Sequence, residues 1–226
     1  MAKLETKYPD NFDQVRLRHI GEQVRARLAA NRAVHKVPLA TIELFAVGNF
    51  MSAAECTKMI EMVDAVAEPS AVFDLAYDSG FRTSYSGNIN PHDPFIRTIS
   101  DRIDDLLGLE RIFGETIQGQ RYTIGQQFKP HHDWFHPGTS YWEDVMAHGG
   151  QRSFTAMVFL NDVEEGGLTH FPEIDTALKP KAGVIALWNN ASPDGLTNPK
   201  TLHAGCPVTA GKKYVITRWY RARPWQ

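Results

Sequence analysis

The chain contains no apolar run approaching the roughly 20 residues that a membrane-spanning helix requires. Residues 1–11 are polar where a secretory leader would carry an apolar stretch. A soluble, cytoplasmic protein with no membrane partner is therefore expected. Cysteine is scarce: Cys56 and Cys206 stand far apart and are too few for a disulfide framework. Both are expected as free, largely buried thiols. An excess of either charge is missing too, because 24 Lys and Arg against 26 Asp and Glu give a formal net charge of −2. That balance offers no basic footprint for nucleic acid, and no such partner is expected. Internal repeats and low-complexity tracts are also missing.

What is present is ordinary globular composition, with 226 residues that are 42% hydrophobic and 22% charged, enough for one substantial core. Over residues 13–33 the apolar positions Leu17, Ile20, Val24 and Leu28 recur at steps of three and four, which predicts an amphipathic helix. Its stripe either packs on the outside of the main fold or contributes to a dimer contact, so monomer and homodimer both stand. The division that follows is an N-terminal helical extension over 1–37 and one compact domain over 38–226.

Residues 41–47 read as a strand broken by Gly48 and Asn49. Ser52 then caps a helix, with Glu55 three residues on completing a capping box. Met59, Ile60, Val63 and Val66 form its apolar face, which fades near Glu68-Pro69, and a further helix over 94–107 carries Ile96, Ile99, Ile103 and Leu106. Beyond Gly114 the texture changes to short β runs, 116–122, 153–160, 183–188 and 213–220, bounded by Gly, Pro, Asn and Asp. The fold class is thus mainly β with flanking α-helices, a sandwich or barrel of antiparallel strands. Two long polar stretches, 136–151 and 189–201, interrupt it and have the length of functional loops.

Residues 121–135 read RYTIGQQFKPHHDWF. On a strand, side chains two apart share a face, so His131 and Asp133 can converge on one ion while His132 points away. A set of two histidines and one carboxylate leaves coordination positions open, which suits an Fe(II) oxygenase. His203, opening a β-like stretch after the second long loop, is the choice for the second histidine. The same ligands could hold Zn or Mn in a cupin-like enzyme, so the donor set alone does not select the metal.

Several blocks in order carry a resemblance: NFMSAAEC at 49–56, FRTSYSG at 81–87, YTIGQQFKPHHD at 122–133, RSFTAMVFLNDVEEGGLTHFP at 152–172 and HAGCPVTAGKKYVITRW at 203–219. Together they resemble the prolyl 4-hydroxylase family of Fe(II)/2-oxoglutarate-dependent dioxygenases over roughly residues 44–220. The resemblance implies a double-stranded β-helix, or jelly roll, with iron held by His131, Asp133 and His203 at one open end. It implies that Lys213, rather than its neighbour Lys212, receives the distal carboxylate of 2-oxoglutarate, helped by the hydroxyls of Tyr122 and Thr169. Arg152 and Trp219 match positions beside a substrate groove. Trp134 and Trp188 are read as packing residues.

The activity so implied consumes 2-oxoglutarate and O2, releases succinate and CO2, and hydroxylates a prolyl residue in a peptide or protein, with ascorbate as a supporting reductant. Phe128 departs from the pattern, because many relatives carry a tyrosine three residues before the first iron ligand. Phenylalanine keeps the ring and loses a hydrogen bond, which bears on the substrate more than on the chemistry. Hydroxylation of a free amino acid or another small molecule is the second reading, and a non-catalytic metal-binding or sensor module the remotest. The 136–151 stretch leaves directly from the ligand-bearing strand and is read as a lid over the substrate, with an idle surface excursion as its alternative.

Overall fold

The computed structural model describes residues 7–70 and 80–225, so residues 1–6 of the N-terminal extension lie outside the described residues. The helices are α1 (Gln14–Ala29), α2 (Ala53–Val66), α3 (Pro94–Leu107) and the short α4 (Trp142–Ala147). The strands are β1 (Val34–Lys36), β2 (Leu44–Val47), β3 (Glu68–Pro69), β4 (Tyr85–Asn88), β5 (Gln118–Tyr122), β6 (Phe128–His131) and β7 (Arg152–Phe159). They continue as β8 (Glu165–Gly166), β9 (Thr169–Phe171), β10 (Thr176–Leu178), β11 (Ile185–Asn189), β12 (His203–Gly205), β13 (Val208–Ala210) and β14 (Lys213–Arg221).

Eight strands in the order β1-β2-β11-β7-β14-β5-β4-β3 make the large sheet, and β10-β9-β12-β6 make a smaller one, with β13 and β8 as a separate pair. The large sheet is antiparallel throughout, and side-chain alternation along its central strands gives it two buried faces. Tyr214, Ile216 and Tyr220 of β14, with Phe154, Ala156 and Val158 of β7, join the core built with α1, α2 and α3. Val215 of β14, with Met157 and Phe159 of β7 and Ala186 and Trp188 of β11, joins a second core with Phe171 of the small sheet. That second core is the filling between the two sheets of the jelly roll.

The helices begin and end for local reasons. Ser52 caps α2 through the expected box, its Oγ accepting from the Glu55 amide and Glu55 accepting from the Ser52 amide. Asp93 accepts from the Phe95 and Ile96 amides, Pro94 opens α3, and Gly108 ends it at φ +69°. Helix α1 is shorter than the 13–33 pattern suggests. Asn31 accepts from the Ala33 amide in a side-chain turn, and the chain then enters β1, which pairs with β2. The 136–151 stretch is not a bare loop: it holds α4, whose Trp142, Val145 and Met146 pack on Phe135.

Helix α2 sits close against the sheet because Gly87 of β4 and Gly119 of β5 are register partners beneath it. A Cβ on Gly87 would lie 2.1 Å from the Val66 carbonyl oxygen, and one on Gly119 would lie 2.6 Å from Val63 Cγ2. The first collision is with backbone and cannot be relieved by a rotamer change. Gly87→Ala is therefore expected to destabilise the fold by about 1–3 kcal/mol, as for other overpacked sites. Urea unfolding checks this, and an unchanged midpoint would remove the close approach of α2 as a constraint.

Candidate active site

His131 ends β6 and His203 begins β12, and the two residues are direct partners in the antiparallel register. The pairing then slips: Gly205 lies opposite Phe128, so two residue steps on β12 match three on β6. This bulge changes which side chains share a face. Pro130 is tolerated there because β6 is the last strand of the small sheet, where a missing amide donor is cheap. The result is a parallel stack of the Phe128 ring on the His131 imidazole, with centroids 3.5 Å apart and planes 12° off parallel.

Asp133 lies past the end of β6, in a bend, so the strand geometry expected for His131 and Asp133 stops at the first of them. Its neighbours bring the carboxylate round instead. Thr155 Oγ1 donates to Asp133 Oδ2 at 2.7 Å, and Arg152 Nη1 donates to the Asp133 carbonyl at 3.3 Å. Two residues on, Phe135 is clamped at both backbone groups by the Gln151 side chain, at 2.7 and 2.9 Å. Gln151 is itself held by Asp13, whose Oδ2 accepts its amide at 2.8 Å.

One ligand atom from each of His131, Asp133 and His203 lies within 4.8 Å of the others. His131 Nδ1 is 2.9 Å from the Lys129 carbonyl and His203 Nδ1 is 2.9 Å from the Thr201 carbonyl. A carbonyl only accepts, so both protons sit on Nδ1 and both Nε2 lone pairs are free to bind a cation. Nε2 of His131 is 4.0 Å and Nε2 of His203 is 3.7 Å from the Asp133 carboxylate. Burial, and then the neighbouring His203, hold the His131 imidazole well below its ordinary pKa. Burial opposes ionisation of Asp133, but His203, His131, Arg152 and the Thr155 hydrogen bond together keep its carboxyl below the usual range. Two imidazoles with Nε2 turned to the cluster and one carboxylate fit a divalent ion with coordination positions to spare.

Two compartments meet at this cluster. The inner one, about 50 Å3, is lined by Tyr122, Thr169 and Lys213 together with His203 and Trp188. The outer one, about 310 Å3, is lined by Arg152, Trp219, Phe128, Trp134 and the rim residues His136 and Tyr141. His131, Asp133, Phe128, Arg82 and Trp219 border both. Alternation on β14 sends Lys213 inward while Lys212 is exposed. Lys213 Nζ donates to Thr169 Oγ1 at 3.1 Å and lies 5.4 Å from the centre of the Tyr122 ring. Among the described residues no carboxylate forms an ion pair with it, and burial pushes its ammonium down to about 7. A buried lysine left this way fits an anionic ligand.

Arg152 departs from a simple groove-side donor. Its Nε and Nη2 are held by both oxygens of buried Glu115, at 2.7 and 2.8 Å, and its guanidinium lies over the Trp219 ring at 4.1 Å. Trp188 packs as expected, edge-on to Phe171 and His203. Trp134 packs between His132 and His136, with centroids 4.4 and 4.3 Å away, and also lines the outer groove, its Nε1 donating to the Asn198 carbonyl at 3.3 Å. The 136–151 stretch forms a wall of that groove, anchored where Trp142 Nε1 donates to the Tyr8 carbonyl at 2.7 Å.

Thr155, Glu115 and Arg82 were not singled out by sequence. Arg82 lay in a quoted block, FRTSYSG, and its guanidinium lies 4.6 Å from the Phe128 ring centre. Thr155 likewise lies in a motif block, RSFTAMVFLNDVEEGGLTHFP, but neither it nor Glu115 carried a local signal of its role, because their partners are distant in sequence. Thr155→Val removes the donor to Asp133 while keeping the side-chain shape, and is expected to weaken divalent metal binding about 10–100-fold. Titration with Co(II), followed by its visible spectrum, measures this. Unchanged affinity would make the Thr155 contact incidental.

Comparison with known proteins agrees with this geometry. Residues 117–221 match the 2OG-Fe(II) oxygenase superfamily. A probable prolyl 4-hydroxylase 10 of Arabidopsis thaliana is 34% identical over 203 residues, 79% of this chain and 68% of that one. Among solved structures, a viral collagen prolyl hydroxylase from Paramecium bursaria Chlorella virus-1, in its 2-oxoglutarate complex, superposes with a TM-score of 0.60 at 27% identity, covering 79% of this chain and 95% of that one. A Trichoplax adhaerens prolyl hydroxylase in complex with a hypoxia inducible factor peptide fragment shares the fold, with a TM-score of 0.59 at 16% identity over 95% and 94% of the two chains. The ordered motifs, the jelly roll and the joined metal and lysine compartments thus have one common explanation: the chain belongs to the prolyl 4-hydroxylase family of 2-oxoglutarate- and Fe(II)-dependent dioxygenases.

Proposed function

We propose that this enzyme hydroxylates a prolyl residue within a peptide or protein, with His131, Asp133 and His203 holding the iron. The observation that carries the reading is the joining of an inner, lysine-closed compartment to an outer, aromatic-lined groove at the metal cluster. The groove is larger than the inner compartment by several-fold, about 310 against about 50 Å3, as a substrate site beside a small co-substrate site would be. Relatives named as prolyl hydroxylases support the same substrate class.

When bound, iron with 2-oxoglutarate and O2 supplies the oxidising chemistry, in which the keto acid is decarboxylated to succinate and CO2. The protein's part is placement and exclusion. Lys213 and Thr169 would hold the distal carboxylate of the co-substrate, with Tyr122 closing the same pocket. Phe128 stacks on His131 and keeps that ligand's ring in one plane, while Trp188 and Phe171 keep water from His203. Trp219 stands where the compartments join, and Arg152 stiffens the groove wall through Glu115.

Ascorbate is proposed to support turnover by keeping the iron ferrous. Monomer and homodimer remain equally compatible with this reading. A cytoplasmic setting, without nucleic-acid or membrane partners, is supported by the near-neutral charge and by the two free thiols, buried Cys56 and half-buried Cys206.

Purified enzyme with Fe(II), ascorbate and 2-oxoglutarate is expected to form succinate faster when a proline-rich peptide is added, and the peptide should gain the mass of one oxygen atom. His131→Ala should be silent. Succinate without peptide hydroxylation would leave the dioxygenase and transfer the substrate role to a small molecule.

The lysine makes a separate prediction. A cation must be protonated to pair with a dicarboxylate, and Lys213 loses its proton near pH 7 in the empty pocket. Affinity for 2-oxoglutarate should therefore be level below about pH 7 and weaken about tenfold per unit above it, until the ligand-bound lysine itself deprotonates. Calorimetric titration of the Mn(II)-substituted enzyme tests this. Lys213→Ala should bind weakly at every pH, and a level profile in the unmodified enzyme would remove Lys213 from the anion pocket.

A further inference from the structure

The register between β7 and β14 slips once, between Tyr220 and Arg221. Phe154 lies opposite Tyr220 and Arg152 opposite Arg221, so β7 has one extra residue at Ser153. Strict alternation would put Arg152 on the helix-facing side with Phe154. The bulge turns it to the cavity side, beside Trp219 and Arg221. Two guanidinium side chains thereby face each other across adjacent strands, an arrangement that like charges disfavour.

A single acid lies between them. Glu115 Oε1 is 2.7 Å from Arg152 Nε and 2.5 Å from Arg221 Nε, and Oε2 accepts from Arg152 Nη2 at 2.8 Å. All three residues are buried, at 9, 8 and 6% exposure for Glu115, Arg152 and Arg221. Two cations against one anion leave one positive charge in the wall of the outer groove. The next acid along, Asp13, does not neutralise it, because Asp13 is paired with Arg223 at 3.1 Å. Asp133 acts on the nearby Arg152, but among the described residues it forms no ion pair with either arginine, and its carboxylate is turned to the two ligand imidazoles.

The two arginines differ in what they have left to give. Arg152 uses Nε and Nη2 on Glu115 and Nη1 on the Asp133 carbonyl. Arg221 sets Nε 2.5 Å from Glu115 Oε1 as an ion-pair contact without a formed hydrogen bond and donates Nη1 to the Gly150 carbonyl at 2.6 Å, and among the described residues its Nη2 has no acceptor. Burial pushes the Arg221 guanidinium down to about 10, with Glu115 opposing the shift, so it is still charged at neutral pH. A buried, charged, incompletely paired guanidinium bordering a cavity fits a carboxylate that arrives with the ligand.

We propose that the outer groove selects substrates carrying a carboxylate near the hydroxylated residue, with Arg221 as the group that receives it. The inference rests on the groove being the substrate site, as proposed above. The carboxylate can come from an Asp or Glu side chain of a peptide or from the free C-terminus of a short substrate, and both present the same anion to the same guanidinium.

The test uses the full chain loaded with Mn(II) and 2-oxoglutarate, and fluorescent peptides with one central proline flanked by Asp, by Ser or by Lys. N-acetylproline and its amide, read by competition against the tightest-binding peptide or by calorimetry if none binds, supply the terminal-carboxylate arm. The Asp peptide, or the free acid over its amide, is expected to bind about tenfold more tightly than its neutral counterpart, the scale of one charge-assisted hydrogen bond. Arg221→Gln should reduce that advantage to within about twofold, while Arg221→Lys keeps part of it. The affinity for 2-oxoglutarate, bound in the other compartment, reports whether either variant is folded. Equal binding of Asp and Ser peptides, together with equal binding of acid and amide, overturns carboxylate selection and leaves the peptide reading intact. If no peptide binds but N-acetylproline binds better than its amide, the peptide reading falls and carboxylate recognition stands. Silence from every ligand overturns both.

Discussion

The alternation of side chains along β14 is the constraint on which the rest of the molecule depends. One nine-residue strand, buried except at the half-buried Trp219, serves two interiors at once. Its even-numbered residues meet the helices: Tyr220 donates to buried Asp104 of α3 at 2.6 Å, and Arg218 pairs with the same carboxylate at 3.1 Å. Its odd-numbered residues run along the cavity, from Lys213 in the inner compartment through Val215 and Thr217 to Trp219 and Arg221 in the outer groove. A shift of one residue would exchange the two sets and put a lysine into the helix core. Register is therefore fixed by chemistry on both faces, and the position of the anion pocket relative to the groove is fixed with it.

The metal cluster is built on the opposite sheet and belongs to a different mechanical class. Only one of its ligand residues continues a strand in the ordinary way. His203 opens β12, His131 ends β6 next to a bulge, and Asp133 lies in a bend secured by Thr155, Arg152 and the Gln151 clamp on Phe135. Asn190 Nδ2 donates to Thr155 Oγ1 at 2.9 Å, which fixes the hydroxyl that fixes the carboxylate. The geometry of the site thus relies on hydrogen bonds converging from β7 and from the residues flanking β11 and α1 as much as on β6 itself. Buried polar chains of this kind hold a ligand set in place before the ion arrives, so that binding does not have to order the side chains.

Much of this was readable in the residues, and the part that was not has a common cause. The periodicities of α1, α2 and α3, the Ser52 box and the four long β runs all report local physics, and each element lies within a few residues of its pattern. The ligand trio and Lys213 were legible through ordered motifs, and exposure of Lys212 settles which of two adjacent lysines faces inward. What could not be read were bulges such as those on β6 and β7, since a bulge is a property of a pair of strands and leaves no mark in one of them. The same holds for Glu115, whose significance lies in arginines 37 and 106 positions away. Helix α4 escaped notice because six residues are too few for a periodicity to declare itself.

Helix α1 illustrates how far the active site extends through the chain. Asp13, at its N-terminal boundary, accepts from the Gln151 amide and pairs with Arg223, and strand β1, following the helix, covers the outer edge of β2. A shortened protein beginning at residue 38 would lose more than an appendage. It would leave the half-buried Arg223 guanidinium without its ion-pair partner and the buried Gln151 amide without its acceptor, uncover Val47 and the apolar ends of the helix core, and present β2 as an open edge ready to pair with another molecule. Trimming the sequence to its recognisable domain would trade a closed sheet edge for an aggregation-prone one.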